Sequence, residues 1–278
     1  MIEIKKELLK TARNSIRLEI GGAVTGSTKF GGMPDVPEGF EWAYYNGRPL
    51  SFLAQFDLEE ISRYDTENLL PRTGVLSFFY DLETKPHSVD DEDRGFAKVY
   101  WFEDKNALLN AEFPDDLKTE YRLPALGITA RSEKSYQSYP DFLLQRAKLV
   151  EDWESFERAQ NSIGIDESGN ISKMLGWADP IRGNMTVDCE LISRGYFLGD
   201  EQGQSNALSI ALGEVTPLDK QEAEQWSAKD WLPLLQLDTV TEGEFCLKFG
   251  DPGRLYFYIR RDDLAARDFN EIMVFVQN

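Results

Sequence analysis

The chain has 278 residues, and its 49 acidic and 30 basic side chains give a formal net charge of −19. A field of that sign repels phosphate groups, so the composition argues against nonspecific binding to nucleic acid or to an anionic membrane. With 41% hydrophobic residues the chain can build a core, and its length predicts about two domains. The charge favours a solvated acidic surface. The alternative is an acidic face that docks a basic protein, such as a nuclease or a secreted toxin.

The start of the chain and its cysteines bear on location. The first residues lack an apolar leader, and no run of about 18 apolar residues occurs that could span a membrane. Cys189 and Cys246 have apolar neighbours and do not form a disulfide framework, so we expect two reduced thiols in the core. These features predict a soluble cytoplasmic protein.

The first half of the chain is rich in strand and turn patterns. Apolar residues at helical spacing predict a helix over 2–13, and alternation with period two predicts a strand over 16–20. The glycine- and proline-rich stretch 31–39 predicts an ordered loop that is neither helix nor strand. Further extended segments are expected over 49–56, 75–80, 96–102 and 121–130.

A broad apolar stripe over 139–160 predicts one long helix, with Asp141 in its first turn. The short, glycine-containing stretch 162–170 follows it and is predicted to be the boundary between two halves. The chain is therefore divided into an N-terminal unit, 1–162, and a C-terminal unit, 163–278, packed together as one globule.

The second half predicts short helices and strands in irregular order. Helices are expected over 187–196 and 217–227, and strands over 230–237, 245–249, 255–260 and 271–276. A Gly-Asp-Pro-Gly turn at 250–253 joins two of these strands. Helices and strands do not alternate as a parallel α/β sheet requires, so we predict an α+β fold with antiparallel or mixed sheets and packed helices.

Two blocks of the sequence repeat. Gln55 precedes Gly74 by 19 residues and Gln236 precedes Gly253 by 17, within similar apolar strand patterns. The segment 173–180 also echoes 29–35. These repeats predict a tandem duplication of one sheet unit, with the two copies related by a pseudo-twofold axis.

The repeated glutamines supply the main candidate site. Gln55 and Asp57 share one face of a strand, as do Gln236 and Asp238. A pseudo-twofold axis could bring these four side chains together in a polar cleft. The alternative, which we favour, is that each glutamine binds the backbone of an adjacent loop while each aspartate ends its strand.

Trp42 and Tyr44 follow the first glycine- and proline-rich loop. They could line a ligand groove, or they could bury the loop against the sheet, and the sequence favours neither alternative. Both residues are therefore added to the two Gln-Asp pairs as candidate cleft residues.

Other catalytic patterns are weak. His87 is the only histidine and lies in a predicted exposed loop, so a Ser-His-Asp triad would depend on it alone. The acidic run 90–93 lacks the glycine and carbonyl ligands of a calcium loop, which favours a solvated run over a metal site. Dinucleotide and Walker phosphate motifs are missing from the sequence. We therefore predict no catalytic residue, no metal and no cofactor.

In order and spacing, these blocks resemble the YwqG-like family, a bacterial domain family without an established activity. The matching segments are 29–34, 49–57, 70–79, 234–238 and 250–257, within a resemblance over roughly 21–277. The resemblance implies a duplicated α+β fold and a soluble cytoplasmic bacterial protein, and it carries over no catalytic residue. Family members tend to have a glutamine near the second loop, where this chain has Asn184-Met185.

The preferred hypothesis is a noncatalytic protein that binds a small molecule or a protein, with a polar-aromatic cleft between its units. One alternative is a carboxylate-dependent hydrolase, which should show a deep pocket holding Asp57, Asp238 or another acid with a raised pKa. Another is an immunity-like protein for a basic toxin, which rests on net charge alone.

Overall fold

The structure, a computed structural model, describes residues 2–88, 95–150, 152–164, 171–196, 198 and 215–278. The acidic run 90–93 and residues 165–170 of the predicted boundary lie outside these described residues.

The described helices and strands follow one another irregularly, as an α+β fold requires. The helices are α1 (Ile2–Leu9), α2 (Leu58–Ile61), α3 (Tyr139–Arg146), α4 (Trp153–Asn161), α5 (Met185–Ser193), α6 (Pro217–Asp230) and α7 (Arg261–Ala266). The strands are β1 (Arg13–Ile20), β2 (Lys29–Phe30), β3 (Asp35–Pro37), β4 (Tyr44–Tyr45), β5 (Arg48–Pro49), β6 (Ser51–Asp57), β7 (Val75–Tyr80), β8 (Ala97–Phe102), β9 (Leu108–Asn110), β10 (Leu126–Ser135), β11 (Lys173–Met174), β12 (Trp231–Leu237), β13 (Val240–Glu242), β14 (Phe245–Leu247), β15 (Arg254–Arg260) and β16 (Met273–Gln277).

Ten of these strands form one sheet in the order β16-β15-β12-β11-β1-β10-β2-β6-β7-β8. Its neighbouring strands pair antiparallel throughout. The central pair, β1 and β10, stays in register from Arg13 opposite Ser135 to Ile20 opposite Ile128. The α+β class and the mostly antiparallel sheet are therefore confirmed.

The sheet curls until its two ends approach each other. The rings of Phe78 on β7 and Phe257 on β15 lie 5.2 Å apart, although these strands stand near opposite ends of the sheet. The backbone N–H of Ser88 donates to the carbonyl of Val274, which joins the same two ends. The curl encloses the main core, and β6, β7 and β12 are buried at every position.

The predicted single helix over 139–160 is wrong, because the chain turns back on itself. Helix α3 ends at Arg146, and α4 starts at Trp153 with Asp152 as its N-cap, which accepts from the N–H of Ser155 at 2.7 Å. The ring centroids of Tyr139 and Trp153 are 5.0 Å apart. In one straight helix these residues would be about 21 Å apart along the axis. The predicted apolar stripe is in fact two short stripes, one on α3 and one on α4, that face each other.

Smaller corrections have equally local causes. The loop 31–39 contains β3, because Asp35–Pro37 pairs with β9. Helix α1 ends at Leu9 rather than residue 13, since the chain enters β1 at Arg13. Cys189 is buried as expected, but Cys246 is exposed, because it lies in the separate two-stranded ribbon of β13 and β14.

Among the described residues, every helix is too short or too polar to cross a lipid bilayer.

Candidate functional site

Gln55 holds a loop against the outer side of β6. Its Oε1 accepts from the backbone N–H of Asp35 at 2.9 Å, and its Nε2 donates to the carbonyl of Ser27 at 2.8 Å. Nε2 also donates to the Asp35 carboxylate at 2.5 Å, and Nζ of Lys29 lies 3.1 Å from the same oxygen. Gln55, Lys29 and Asp35 form what we term the first glutamine clamp.

Gln236 makes the same set of bonds on β12. Its Oε1 accepts from the N–H of Asp179 at 2.9 Å, and its Nε2 donates to the carbonyl of Ile171 at 2.8 Å. Nε2 also donates to the Asp179 carboxylate at 2.9 Å, and Nζ of Lys173 lies 2.5 Å from that oxygen. Gln236, Lys173 and Asp179 form the second glutamine clamp.

The two clamps occupy different places in the sheet. Strands β11, β1, β10 and β2 stand between β12 and β6, and each glutamine bonds to the loop beside its own strand. Both amides are fully buried, so the loop backbone supplies the partners that a buried amide needs. The geometry is that of loop anchors rather than of one shared polar cleft.

The two candidate aspartates end their strands in different ways. Asp57 caps α2 by accepting from the N–H of Glu59 at 3.0 Å, and its other oxygen lies 2.8 Å from Nζ of Lys105. Hydrogen bonds to Asp57 and Glu59 raise the pKa of Lys105. Asp238 accepts from the N–H of Ile171 at 3.2 Å. Its carboxylate lies 3.7 Å from Nε of Arg254.

Of the two candidate aromatic residues, only Trp42 belongs to the apolar layer on the outside of β6 and β7. The Trp42 indole N–H donates to the carbonyl of Leu50 at 2.8 Å, and its ring packs edge-on against Phe79 at 5.4 Å. Tyr44 is 48% exposed, and its hydroxyl donates to Asp116 at 2.9 Å. Trp42 therefore buries its loop, whereas Tyr44 lies at the surface.

A groove runs between the α3–α4 hairpin and the loop 179–183, with a volume of about 650 Å³. Its aromatic wall is formed by Tyr136, Tyr139 and Trp153, of which Trp153 is 48% exposed. Its polar lining comes from Glu157, Gln160, Asn161, Asp179, Arg182 and Arg254. We term this the seam groove.

A smaller cavity of about 290 Å³ adjoins the seam groove. The two share Tyr136, Gln160, Ile171 and Asp179 as lining residues. The smaller cavity, here the inner pocket, is also lined by Arg17, Glu133, Lys134 and Lys173. Arg17 and Lys173 are each only 4% exposed, so two buried cations face this space.

The second glutamine clamp positions the wall between the groove and the pocket. Besides its bonds to Gln236 and Lys173, Asp179 accepts at its carbonyl from Arg254 at 2.9 Å and from the Tyr256 hydroxyl at 2.8 Å. Gln236 and Asp238 thus act on the groove through Asp179 and Arg254.

Neither cavity is lined by any of the six sequence candidates, Gln55, Asp57, Gln236, Asp238, Trp42 and Tyr44. Sequence analysis missed Arg17, Lys173, Tyr139 and Trp153 as site residues. Lys173 belonged to the echo of 29–35, but its neighbour across the sheet could not be identified from that echo.

A third cavity, of about 240 Å³, brings together His87 and Asp188 beside Arg182 and Gln277. Burial raises the pKa of Asp188 to about 6, against an opposing effect of Lys220. Sequence analysis set His87 aside and did not consider Asp188. In the described parts of the chain, this cavity included, no three His, Cys, Asp or Glu side chains converge as a metal ion would need.

The fold and its cavities define a protein class: an α+β domain with one curled antiparallel sheet, loops clamped to its outer side and a groove along a helix hairpin. The chain belongs to the family described as Domain of unknown function (DUF1963), whose model matches residues 28–277. That match includes both glutamine clamps and every residue that lines the seam groove, whereas Arg17 of the inner pocket lies outside it. Comparison with curated proteins gives no match.

Proposed function

We propose that this protein is a noncatalytic binding protein that takes a small ligand in the seam groove and the inner pocket. The observation that carries the proposal is that an aromatic-walled groove opens into a pocket holding two buried cations. A volume of about 650 Å³ is within the range of small-molecule sites. Such sites combine apolar walls with a few well-placed polar groups, as this groove does.

The aromatic wall supplies a surface for a flat or apolar part of the ligand. Tyr139 and Trp153 meet edge to face, with Phe142 and Phe156 packed beneath them. Trp153 is therefore held in place although about half of its surface is exposed. A fixed, exposed indole offers a large contact area at little entropic cost on binding.

The proposal places the groove where two duplicated units meet, 1–162 and 163–278. Three features support the duplication: the matching bonds of the clamps, matching hydroxyl contacts and a matching bulge. Thr28 accepts at its hydroxyl from the N–H of Asp57, and Ser172 from the N–H of Asp238, both at 3.0 Å. Each buried strand has an irregularity just before its glutamine, at Phe52/Ala54 and at Pro233/Leu235.

The finer identification stays a prediction. The YwqG-like resemblance, with the cytoplasmic bacterial protein that it implies, is compatible with membership of a family of unknown function. The immunity-like alternative still rests on the net charge of −19 alone.

The test uses 8-anilinonaphthalene-1-sulfonate, a fluorescent probe with flat aromatic rings and an anionic group. We expect saturable binding to the native protein, weakened about tenfold by Trp153→Ala, because the indole supplies much of the contact area. Trp226→Ala is the matched control, since Trp226 is 45% exposed on α6 and lines neither cavity. Equal effects of the two substitutions, or no saturable binding, would contradict the proposal.

The hydrolase alternative has one observation in its favour, the cavity that holds His87 and Asp188. A carboxyl group with a pKa of about 6 can exchange protons near neutral pH. Under this alternative, the native protein should hydrolyse p-nitrophenyl acetate or p-nitrophenyl phosphate, and Asp188→Asn should abolish the turnover. Absence of turnover with both substrates, or turnover that survives in Asp188→Asn, would contradict it.

A further inference from the structure

Arg17 and Lys173 stand directly opposite each other on neighbouring antiparallel strands, β1 and β11. Opposed residues lie on the same face of a sheet, with Cβ atoms about 5 Å apart. Like charges in that position destabilise a sheet, and burial adds a desolvation cost for each charge. A pair of buried cations is therefore an expensive arrangement for a structural role alone.

The two cations differ in how closely a carboxylate approaches them. Lys173 has Asp179 at 2.5 Å, whereas the Glu133 carboxylate lies 3.6 Å from Arg17, longer than an ordinary charge-assisted hydrogen bond. Glu133 is also 3.6 Å from Arg131, which stands opposite Arg17 on its other side. Arg131 also pairs with Glu19. Three cations thus follow one another across three strands, and Glu133, the carboxylate beside Arg17, is shared with Arg131.

Cations also outnumber carboxylates around the two cavities. The described lining includes five cationic side chains, Arg17, Lys134, Lys173, Arg182 and Arg254. It includes three carboxylates, Glu133, Glu157 and Asp179. This local excess occurs in a chain with a net charge of −19, so the cavities differ in sign from the protein as a whole. A cleft lined by one sign of charge concentrates ligands of the opposite sign.

We propose that Arg17 and Lys173 bind the oxyanion of the ligand, a phosphate or carboxylate group, in the inner pocket. The inference deepens the proposed function and rests on it for the rest of the ligand. Guanidinium and ammonium groups are the usual partners of such anions. The bound anion neutralises the opposed charges, and the aromatic wall of the seam groove holds the remainder of the molecule.

The first glutamine clamp supplies an internal control. Lys29 bonds to Asp35 as Lys173 does to Asp179, but its opposite residue on β10 is Gly127. Its opposite residue on β6 is Gln55, so neither strand beside β2 places a cation opposite Lys29, and Lys29 lines neither cavity. Removing its charge should leave anion binding unchanged.

The experiment is equilibrium dialysis of radiolabelled inorganic phosphate at constant ionic strength, with chloride as the other anion. Arg17→Gln and Lys173→Gln should each weaken phosphate binding about tenfold, the cost of one charge-assisted contact. Lys29→Gln should leave the affinity within about twofold of the native value. Glu133→Gln should tighten binding about threefold, because it removes a carboxylate that competes for Arg17.

The Glu133→Gln arm keeps the test valid if a cation variant fails to fold, since a purely structural role does not predict tighter binding. Competition by acetate at equal concentration would identify a site for carboxylates, and its absence a site for phosphate. Competition by chloride that matches phosphate, or an affinity unchanged by Glu133→Gln and both cation variants, would overturn the inference.

The two proposals can fail separately. If phosphate binding needs Arg17 but naphthalene-sulfonate binding is unchanged by Trp153→Ala, the anion site is retained and the seam groove is removed as a ligand site. If instead the naphthalene-sulfonate probe needs Trp153, and Arg17→Gln binds phosphate as tightly as the native protein does, the seam groove is retained and the anion site is removed.

Discussion

The two glutamine clamps share their bonds and differ in what surrounds them. In the first clamp, Asn110 donates to Asp35 at 3.2 Å and pairs with it between β3 and β9, so an added ribbon covers the carboxylate. In the second clamp, Asp179 faces the seam groove and the inner pocket. The clamp itself is a structural device. Whether it borders a cavity depends on the elements inserted beside it.

The loops held by the clamps also differ in how closely other segments approach. Gly31 and Leu175 occupy matching positions with φ near +60°, and each donates its N–H to the strand that its clamp anchors. A Cβ at Gly31 would lie 2.2 Å from the carbonyl oxygen of Pro124. Leu175 carries its Cβ and packs in the core. The segment that leads into β10 therefore presses on the first loop.

The largest expected effect tests whether the clamps are equivalent. Gln55→Leu and Gln236→Leu each leave a partly buried backbone N–H and a loop carbonyl without their glutamine partner. We expect each to lower the free energy of unfolding by about 4 kcal/mol, with similar values for both. Urea denaturation measures the change. Gln225→Leu, on the exposed surface of α6, is the control and should change stability by less than about 0.5 kcal/mol. A cost for Gln236→Leu below half of that for Gln55→Leu would break the equivalence.

The next effect tests the crowding around the first loop. Gly31→Ala should cost about 3 kcal/mol, because a Cβ there meets backbone and the φ of +60° is strained for alanine. Gly39→Ala has a similar positive φ with open space around it, so its cost should be about 1 kcal/mol. Thermal and urea unfolding of the two variants measure the difference. Equal losses of stability in the two variants would show that the positive φ alone, and not crowding around Gly31, sets the cost.

The loss of stability on substitution should differ less between the two clamp lysines, Lys29 and Lys173. Lys29→Gln removes an ion pair and should cost about 2 kcal/mol. Lys173→Gln removes a similar pair but also relieves the repulsion from Arg17, so we expect a cost about 1 kcal/mol lower. Denaturation in the absence of added phosphate measures both. A larger cost for Lys173→Gln would contradict the electrostatic difference between the clamps.

The smallest effect concerns pH. Burial alone would raise the pKa of Asp35, but hydrogen bonds from Lys29, Gln55 and Asn110 outweigh it and hold that pKa below its ordinary value. The ionised carboxylate therefore stabilises the fold above about pH 4, and this stabilisation is lost as the pH falls through the lowered pKa. Because Asp35 is partly exposed, the loss should be a few tenths of a kcal/mol.

Asp35→Asn should lack this acid-dependent loss. Unfolding in urea at about pH 7 and about pH 3 compares the variant with the native protein, and the difference between them should shrink at the lower pH. A difference that grows on acidification would have the wrong sign.

Strands were the part of the fold that the sequence predicted best. The aromatic run at Val75–Tyr80 gave β7 with its observed bounds, because burial on both faces leaves a continuous apolar pattern. The helix over 139–160 was wrong because two facing stripes give the same periodicity as one long stripe. Asp152, an N-cap residue directly before Trp153, was the available signal for the break.

The candidate site was only partly accessible from sequence. The repeat located Gln236 and Asp238, which lie behind the groove wall, but the cavity depends on pairing between distant segments. Arg17 meets Lys173 only because β11 adds to the free side of β1. Local periodicity contains no information about that neighbour, and the repeat misleads here, since Lys29 meets Gly127 instead.

The central position of β1 has a consequence for synthesis of the chain. Strand β1 is synthesised before both of its neighbours, since β10 and β11 follow only with residues 126–135 and 173–174. Its backbone edges stay open in the meantime, and open edges invite association with other chains. Charged side chains on such an edge discourage that association, so Arg17 should help to keep the nascent strand from pairing with other chains until β10 and β11 cover its edges.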